Sequence, residues 1–156
     1  MKISNDEIYT PEWVADDMIR HFKPMGRILE PCKGGGVFTD RLDCDWCEIR
    51  ENKNFFDWKE PVDWIITNPP FSNIRKFLLH SFELSDNIVF LVPVWKVFLA
   101  YGTVKSSLNY GGMKEIRWYG TGSKLNFPMG NGIGAIHWQK SYKGPIHQTF
   151  YEEYVV

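Results

Sequence analysis

Short apolar runs alternate with amphipathic stretches along the chain up to about residue 110. The runs Arg27–Glu30, Val62–Thr67 and Ile88–Val92 have the length of strands and are bounded by Gly, Pro or Asn. Between the last two runs, Ile74–Leu84 carries its apolar residues at helical spacing. Strands that alternate with helices in this way predict a mostly parallel sheet with helices on both faces.

The pattern predicts further elements on either side of these. Thr10 is suited to cap a helix whose first residue is Pro11 and whose apolar positions continue to Phe22. The other predicted elements are a short helix over Val37–Leu42, a strand over Trp46–Ile49, a helical region over Trp95–Leu108, and an antiparallel strand pair, Lys114–Tyr119 and Gly134–Gln139. The sequence therefore predicts an α/β fold whose sheet is mostly parallel with an antiparallel C-terminal strand.

The 156 residues fit one domain, and we expect residues 1–156 to form it. No apolar run reaches the roughly 18 residues of a transmembrane helix, so we expect no membrane association. Residues 1–7 lack the apolar core of a signal peptide, and three Cys are too few for a disulfide scaffold. These features predict a cytoplasmic, reduced protein.

The overall charge of −1 conceals an uneven distribution of charged residues. Residues 1–71 carry nine Lys and Arg against fourteen Asp and Glu, whereas residues 72–143 carry nine against three. The acidic part indicates a cationic or amine-bearing ligand, and the basic part indicates a polyanion. Chance loop composition is the alternative explanation.

A glycine-rich turn, residues 30–36, follows a predicted strand and precedes a predicted helix. Its glycines let the backbone approach a ligand closely, although a tight structural turn would use them as well. The turn lacks the Gly-Lys-Ser/Thr ending of nucleoside triphosphatases. It starts with Glu30, whose carboxylate attracts an ammonium group and repels phosphate.

Two later positions extend this ligand site. Glu48 ends the next strand, where a carboxylate can accept both hydroxyls of a ribose. The Asn54 amide can bond an adenine edge, and the Phe55 ring can pack on its face. An exposed charge at Glu48 and core packing of Phe55 are the structural alternatives.

Asn68-Pro69-Pro70-Phe71 follows the most regular predicted strand. Its two prolines remove two backbone donors and fix two φ angles. The Asn68 side-chain oxygen and the Pro69 carbonyl then form a rigid pair of acceptors for a planar exocyclic amine. Phe71 can stack on the ring that carries the amine, so the turn indicates chemistry at such a nitrogen. A plain Pro-Pro loop is the alternative.

Five motifs occur in one order: Tyr9-Thr10-Pro11, Glu30-Pro31-x-x-Gly34-x-Gly36-x-Phe38, Glu48, Asn54-Phe55 and Asn68-Pro69-Pro70-Phe71. This order resembles the S-adenosylmethionine (SAM)-dependent amino-methyltransferases, especially the adenine-N6 DNA methyltransferases. The resemblance covers residues 8–93 by motif and the rest by strand pattern. It implies a Rossmann-like SAM-dependent methyltransferase fold and SAM as the cofactor.

The resemblance also implies roles for individual residues. It assigns cofactor binding to Tyr9, Thr10, Pro11, Glu30, Pro31, Cys32, Gly34, Gly36, Phe38, Glu48, Asn54, Phe55 and Asn68. It assigns catalysis to Asn68, Pro69, Pro70 and Phe71. Thr10 would contact the methionine carboxylate, Glu30 the methionine amino group and Glu48 the ribose. No metal is expected, since Cys44-x-x-Cys47 lacks the further ligands of a zinc site.

The sequence departs from the family pattern at three points. Asn54 stands where the family usually has Asp, and the span from Glu48 to Asn54 is too short for the usual helix. We therefore expect the adenine side of the cofactor to be open or covered by a neighbouring subunit. The length leaves no room for a separate target-recognition domain, so copies of the chain or a partner subunit are expected to supply recognition.

The expected substrate is a nucleic acid, and DNA is favoured over RNA. The reaction would move a methyl group to an exocyclic amine, adenine N6 in the first instance, with a duplex target flipped out of its stack. Arg75, Lys76, Lys96 and Lys105 follow the Asn68 turn and can meet phosphates, as can Lys124 in the glycine-rich loop between the last strands. RNA amines, protein glutamine side chains and a SAM-binding subunit without its own activity are the alternatives.

Overall fold

The structure, a computed structural model, describes residues 8–152. Its helices are α1 (Glu12–Phe22), α2 (Ile74–Leu84), α3 (Val94–Phe98) and α4 (Tyr101–Tyr110). Its strands are β1 (Ile28–Glu30), β2 (Asp45–Trp46), β3 (Trp64–Thr67), β4 (Asn87–Pro93), β5 (Gly111–Thr121), β6 (Gly132–Lys140) and β7 (His147–Phe150). Residues 1–7, for which the sequence predicts no signal peptide, lie outside the described residues.

The seven strands form one sheet in the order β2-β1-β3-β4-β6-β5-β7. All neighbouring pairs are parallel except those of β6, which runs antiparallel to both β4 and β5. The predicted fold class is thereby confirmed, including the antiparallel strand. β7 was not predicted, because this edge strand is mostly exposed and its sequence is largely polar.

Helices pack on both faces of the sheet, as the alternating pattern predicted. His137 and Trp138 are consecutive residues of β6, so their side chains point to opposite faces. The His137 ring meets Phe22 of α1, and the Trp138 indole donates to the Ser107 hydroxyl of α4. Helix α2 lies on the α4 side, where Phe82 stacks on Tyr110 at 4.0 Å between ring centroids.

The centre of the core is β4, whose residues Ile88 to Val92 have no exposed surface. Such a strand is covered on both faces, which explains its continuous apolar sequence. β4 continues directly into α3, so the start of α3 lies at the carboxyl edge of the parallel strands. The ends of β1 and β3 lie at the same edge.

A buried carboxylate attaches α1 to the sheet. Asp17 is 1% exposed and accepts hydrogen bonds from Arg117 Nη2 at 2.9 Å and from the Tyr119 hydroxyl at 2.7 Å. Burial alone would raise the pKa of Asp17, but the bonds from Arg117 and Tyr119 outweigh it and lower this pKa. The charged form of Asp17 is therefore the one that holds the helix in place.

The predicted start of the first helix was wrong by one residue. The helix begins at Glu12, and Pro11 rather than Thr10 stands at the N-cap position without a side-chain capping bond. The Pro11 carbonyl accepts from the amides of Val14 and Ala15 at 3.1 and 3.2 Å. Thr10 is thereby left outside the helix, beside the glycine turn.

The secondary-structure elements after the glycine turn are shorter than predicted. Residues 37–42 form turns instead of a helix, although the amides of Arg41 and Leu42 both donate to the Phe38 carbonyl. The second strand covers Asp45–Trp46 rather than Trp46–Ile49, and a 3-10 helix follows at Ile49–Glu51. Glu48 and Lys53 pair across this short hairpin, which replaces the usual helix at this point.

No helix within residues 8–152 combines the length and the apolar character that crossing a bilayer requires.

Candidate functional site

The glycine turn and the Asn68 turn lie side by side. They follow β1 and β3, which are parallel neighbours in the sheet. The Glu30 carboxylate accepts from the Cys32 amide at 2.7 Å and from the Thr67 hydroxyl in a short hydrogen bond. Glu30 therefore ties the two turns together at the carboxyl edge, where ligands of such sheets bind. Thr67 was missed in the sequence, where its only signal is its place before Asn68.

Glu30 is unusual because a carboxyl group is fully enclosed there. It is 1% exposed, and burial raises its pKa to about 8. The hydrogen bonds from Thr67 and Cys32 favour the charged form, and the charge of nearby Glu48 disfavours it. A cation placed beside Glu30 would relieve the cost of ionising it.

A cavity of about 230 Å³ opens between the two turns. It is lined by Ile8, Tyr9, Thr10, Glu12, Glu30, Cys32, Lys33, Gly34, Gly35, Val37, Phe38, Asp40, Arg41 and Asn68. Seven of the predicted site residues therefore meet here: Tyr9, Thr10, Glu30, Cys32, Gly34, Phe38 and Asn68. The lining combines three carboxyl groups, Glu12, Glu30 and Asp40, with two cations, Lys33 and Arg41.

Gly34 and Gly36 adopt φ angles of +54° and +92°, which side chains rarely tolerate. Gly34 lines the cavity, while the buried Gly36 forms the turn, since its carbonyl accepts from the Asp40 amide at 2.8 Å. The Tyr9 ring covers the loop: a Cβ on Gly35 would stand 3.5 Å from it. The loop backbone is thus exposed to the cavity beneath a single aromatic ring.

The Asn68 turn is held by contacts on both sides. Asn68 Nδ2 donates to the Ile8 carbonyl at 3.1 Å. This bond fixes the orientation of the side-chain amide and leaves its oxygen as an acceptor. The Asn73 amide donates to the Pro70 carbonyl at 3.0 Å, and Lys96 Nζ donates to the Phe71 carbonyl at 3.4 Å. Together with the two prolines, these bonds make the turn rigid.

The Phe71 ring is not open for stacking in this structure, contrary to the sequence expectation. It is 3% exposed, and the Phe127 ring meets it edge-on at 6.0 Å between centroids. Phe127 belongs to the loop between β5 and β6. The sequence pattern did not single out Phe127, which shares this loop with two other apolar residues, Leu125 and Met129.

A second cavity of about 400 Å³ lies beside β2. Its lining consists of Cys44, Asp45, Trp46, Cys47, Asn52, Lys53, Asn54, Asp57 and Trp58. Glu48 connects the two cavities, because it follows Cys47 and its carboxylate accepts from the Gly34 amide at 2.8 Å. The predicted residues on this side are therefore adjacent to the first cavity but separate from it.

Asn54 lines the second cavity as well as capping a helical turn, whereas Phe55 packs in the core. The Asn54 side-chain oxygen accepts from the Phe56 amide at 3.0 Å and caps a 3-10 helix at Phe55–Asp57. Phe55 is 3% exposed and stacks on Phe77 at 5.3 Å between centroids, so its face is not available to a ligand. The rings that line the second cavity are instead those of Trp46 and Trp58.

The remaining predicted residues shape the backbone. Pro11, Pro31, Gly36, Pro69 and Pro70 are absent from both linings and lie in the turns that carry the lining residues. Within the described residues, no group of three or more His, Cys, Asp or Glu side chains is arranged to hold a metal ion.

No protein-family model matches the sequence, and no curated protein matches it. Solved structures do match its backbone. A modification subunit assigned to a type I restriction enzyme of Vibrio vulnificus YJ016 superposes with a TM-score of 0.66 over 94% of this chain, at 16% identity. A Listeria monocytogenes protein assigned to the class I SAM-dependent methyltransferases gives 0.66 over 96%, at 12% identity. The chain has the fold of the SAM-dependent methyltransferases.

A third structure with this methyltransferase fold, from Pyrococcus horikoshii and assigned as an RNA methyltransferase, gives a TM-score of 0.58 at 14% identity. The share of each structure that is matched differs. This chain spans 48% of the Vibrio subunit, 67% of the Listeria protein and 82% of the Pyrococcus protein, while 83% of this chain matches the last. The chain thus spans about half the length of the first.

Proposed function

We propose that this protein is a SAM-dependent methyltransferase that acts on an exocyclic amine of a nucleic acid, with adenine N6 in DNA as its target. One observation carries the proposal. Asn68, the first residue of the Asn-Pro-Pro-Phe turn, lines the same cavity as Glu30 and Gly34 of the glycine turn. The methyltransferase fold and the nucleic-acid methyltransferases among its structural neighbours support this assignment.

The two cavities fit the two ends of SAM. The first cavity, which is lined by both carboxyl groups and cations, suits the zwitterionic methionine end, with Glu30 facing the amino group and Thr10 the carboxylate. Glu48, between the cavities, suits the ribose hydroxyls, for which its carboxylate would have to leave the Gly34 amide. The second cavity suits the adenine, which would rest against Trp46 or Trp58 rather than Phe55.

The residues of the Asn68 turn would do the chemistry by positioning. SAM supplies, when bound, a methyl group on a positively charged sulfur. The Asn68 side-chain oxygen and the Pro69 carbonyl would accept hydrogen bonds from the two N–H groups of the target amine. These bonds would turn the lone pair of the nitrogen towards the cavity. Fixed acceptors of this kind act mainly through orientation, since the prolines leave the turn little freedom to move.

The pair Phe71 and Phe127 would receive the target base. Two rings at 6.0 Å between centroids leave no room for a third ring between them. Phe127 lies on the β5–β6 loop, so a shift of this loop would open a slot with an aromatic wall on each side. A planar base in that slot would present its exocyclic amine to Asn68.

Calorimetric titration of SAM into the purified protein, with NAD and ATP as controls, tests the cofactor assignment. We expect saturable SAM binding that weakens about ten-fold or more in Glu48→Ala, because a charged hydrogen bond is lost. Asp86→Ala is the matched control, since Asp86 is an exposed acidic residue whose ion pair with Lys140 lies at the surface, away from both cavities. Equal losses in both variants would refute the role of Glu48.

Methyl transfer from labelled SAM to DNA, RNA and protein substrates tests the target. We expect the label to enter DNA and to be recovered from the digested DNA as N6-methyladenine. Label found only in RNA, or only in glutamine side chains, would show that this molecule is the substrate instead of adenine in DNA. SAM binding without transfer to any of them would indicate a cofactor-binding subunit.

SAM binding should depend on pH through Glu30. In the free protein Glu30 has a pKa of about 8 and is mostly neutral at pH 7, whereas a bound ammonium favours its ionised form. Binding at pH 7 should therefore release up to one proton, and affinity should rise from pH 6 towards pH 8. Calorimetry in two buffers of different ionisation enthalpy measures this release. A Glu30→Gln variant that releases as many protons as the wild type would contradict the assignment.

A further inference from the structure

An exposed group of large apolar side chains lies beside the Asn68 turn and has no role in the proposed reaction centre. Trp95 and Phe98 lie on α3, Leu99 follows it, and Tyr101 begins α4; we call these four the aromatic shelf. Their exposed fractions are 42%, 37%, 78% and 79% respectively. Four such residues within seven positions form an apolar patch, which on a protein surface marks a binding site.

The shelf is attached to the Asn68 turn by contacts. Lys96, between Trp95 and Val97 of α3, donates to the Phe71 carbonyl at 3.4 Å. The α3 helix starts where β4 ends, so the shelf lies at the same edge of the sheet as both cavities. A molecule that presents a base to Asn68 would therefore approach the protein from the edge of the sheet that carries the shelf.

Positive charges are interleaved with the shelf. The Arg75 guanidinium carbon lies 3.3 Å from the place of a Cβ on Gly102, next to Tyr101. Lys105 is exposed one helical turn after Tyr101, on the same side of α4. With Lys96, whose Nζ lies 5.8 Å from the centre of the Trp95 ring, these residues place three cations beside the shelf. This combination fits a polyanion whose units carry flat rings.

We propose that the aromatic shelf binds an unpaired nucleic acid strand, with its bases stacked on the shelf and its phosphates beside Arg75 and Lys105. This inference rests on the proposed function and names the form of its substrate. Aromatic side chains stack on unpaired bases, whereas a duplex keeps its base faces covered and presents phosphates and groove edges. The exposed rings thus favour a single strand over a duplex.

Fluorescence anisotropy with a labelled single strand and with the same strand in a duplex tests the proposal, without SAM. We expect the single strand to bind more tightly, and the double variant Trp95→Ala/Tyr101→Ala to weaken its binding about ten-fold or more. Met25→Ala is the matched control, because Met25 is 69% exposed and lies before β1 at the opposite edge of the sheet. Duplex binding as tight as single-strand binding, or an unaffected double variant, would overturn the proposal.

A charge variant gives an independent readout in folded protein. Lys105→Gln should reduce the slope of log affinity against log salt by about 0.7, the value for one lost phosphate contact on a single strand. Lys140→Gln, at the far end of β6, should leave the slope unchanged. Equal slopes for the wild type and Lys105→Gln would contradict the proposed contact between Lys105 and a phosphate of the strand.

The aromatic shelf could be covered by a second copy of the chain instead of a nucleic acid strand. The mass of the protein in solution distinguishes these two cases. A dimer that the Trp95→Ala/Tyr101→Ala variant dissociates would overturn the proposal in favour of a protein interface. Because strand binding is measured without SAM, it stands or falls separately from the methyl-transfer assay.

Discussion

Asn68→Ala should lower the turnover of methyl transfer by about 10²- to 10³-fold or more, the range for loss of one preorganised polar group in a reaction centre. The change removes the side-chain oxygen that would accept a proton of the target amine. SAM affinity should change little, since Asn68 is one of many residues that line the first cavity. Single-turnover transfer to DNA and calorimetry of SAM binding measure the two effects.

Asn73→Ala is the matched control for this variant. Asn73 lies five residues further on, is exposed and caps α2 without a side-chain hydrogen bond. Asn68→Asp retains an acceptor oxygen but loses the bond to the Ile8 carbonyl, so it should fall between the wild type and Asn68→Ala. Wild-type turnover in Asn68→Ala would remove this side chain from the mechanism.

Asp17→Ala should lower the free energy of unfolding by about 3–5 kcal/mol, the cost of removing one partner of a buried ion pair. The variant would leave the guanidinium of Arg117 and the hydroxyl of Tyr119 without their carboxylate acceptor in the core. Urea titration followed by tryptophan fluorescence measures the loss. Asp17→Asn retains an acceptor oxygen and should lose less, which keeps the test usable if the Ala variant does not fold.

Asp16→Ala separates burial from charge. Asp16 is exposed and pairs with Arg41 at the surface, so its loss should cost less than about 1 kcal/mol. Because the folded-state pKa of Asp17 is below its ordinary value of 3.8, its contribution is present above that pH. It disappears as the pH falls through the folded-state pKa. A similar loss in the Asp16 and Asp17 variants would contradict the proposed role of the buried carboxylate.

The sequence predicted the elements that burial determines. Helix α2 has the predicted bounds, and the fully buried β4 appears as one apolar run in the sequence. The hairpin from β5 to β6 was recognised because its strands have a strong apolar pattern. β7 was not recognised, since an edge strand obtains its stability from backbone bonds to β5 and needs few apolar residues.

The candidate site was predictable where a residue type has a local chemical meaning. Glu30, Gly34 and Asn68 could be singled out because a carboxylate, a glycine and an amide at strand ends suit ligands. Long-range contacts were not predictable: Phe127 is 56 positions after Phe71 in the chain, and only the fold brings the rings together. For Phe55 the sequence leaves both a ligand contact and core packing open, and the stacking on Phe77 decides for core packing.

The attachment of α1 through Asp17 has a consequence for how the chain folds during synthesis. Asp17 and Arg117 are separated by 100 positions, so α1 leaves the ribosome long before its partners on β5 are made. Until then the carboxylate has only its neighbour on the same helix, the largely exposed Arg20, as a cation and lacks the buried pairing with Arg117. Closing so long a segment costs entropy before its contacts can repay it, which slows folding. The nascent protein therefore completes its fold late, when β5 and β6 have emerged and α1 can dock on them.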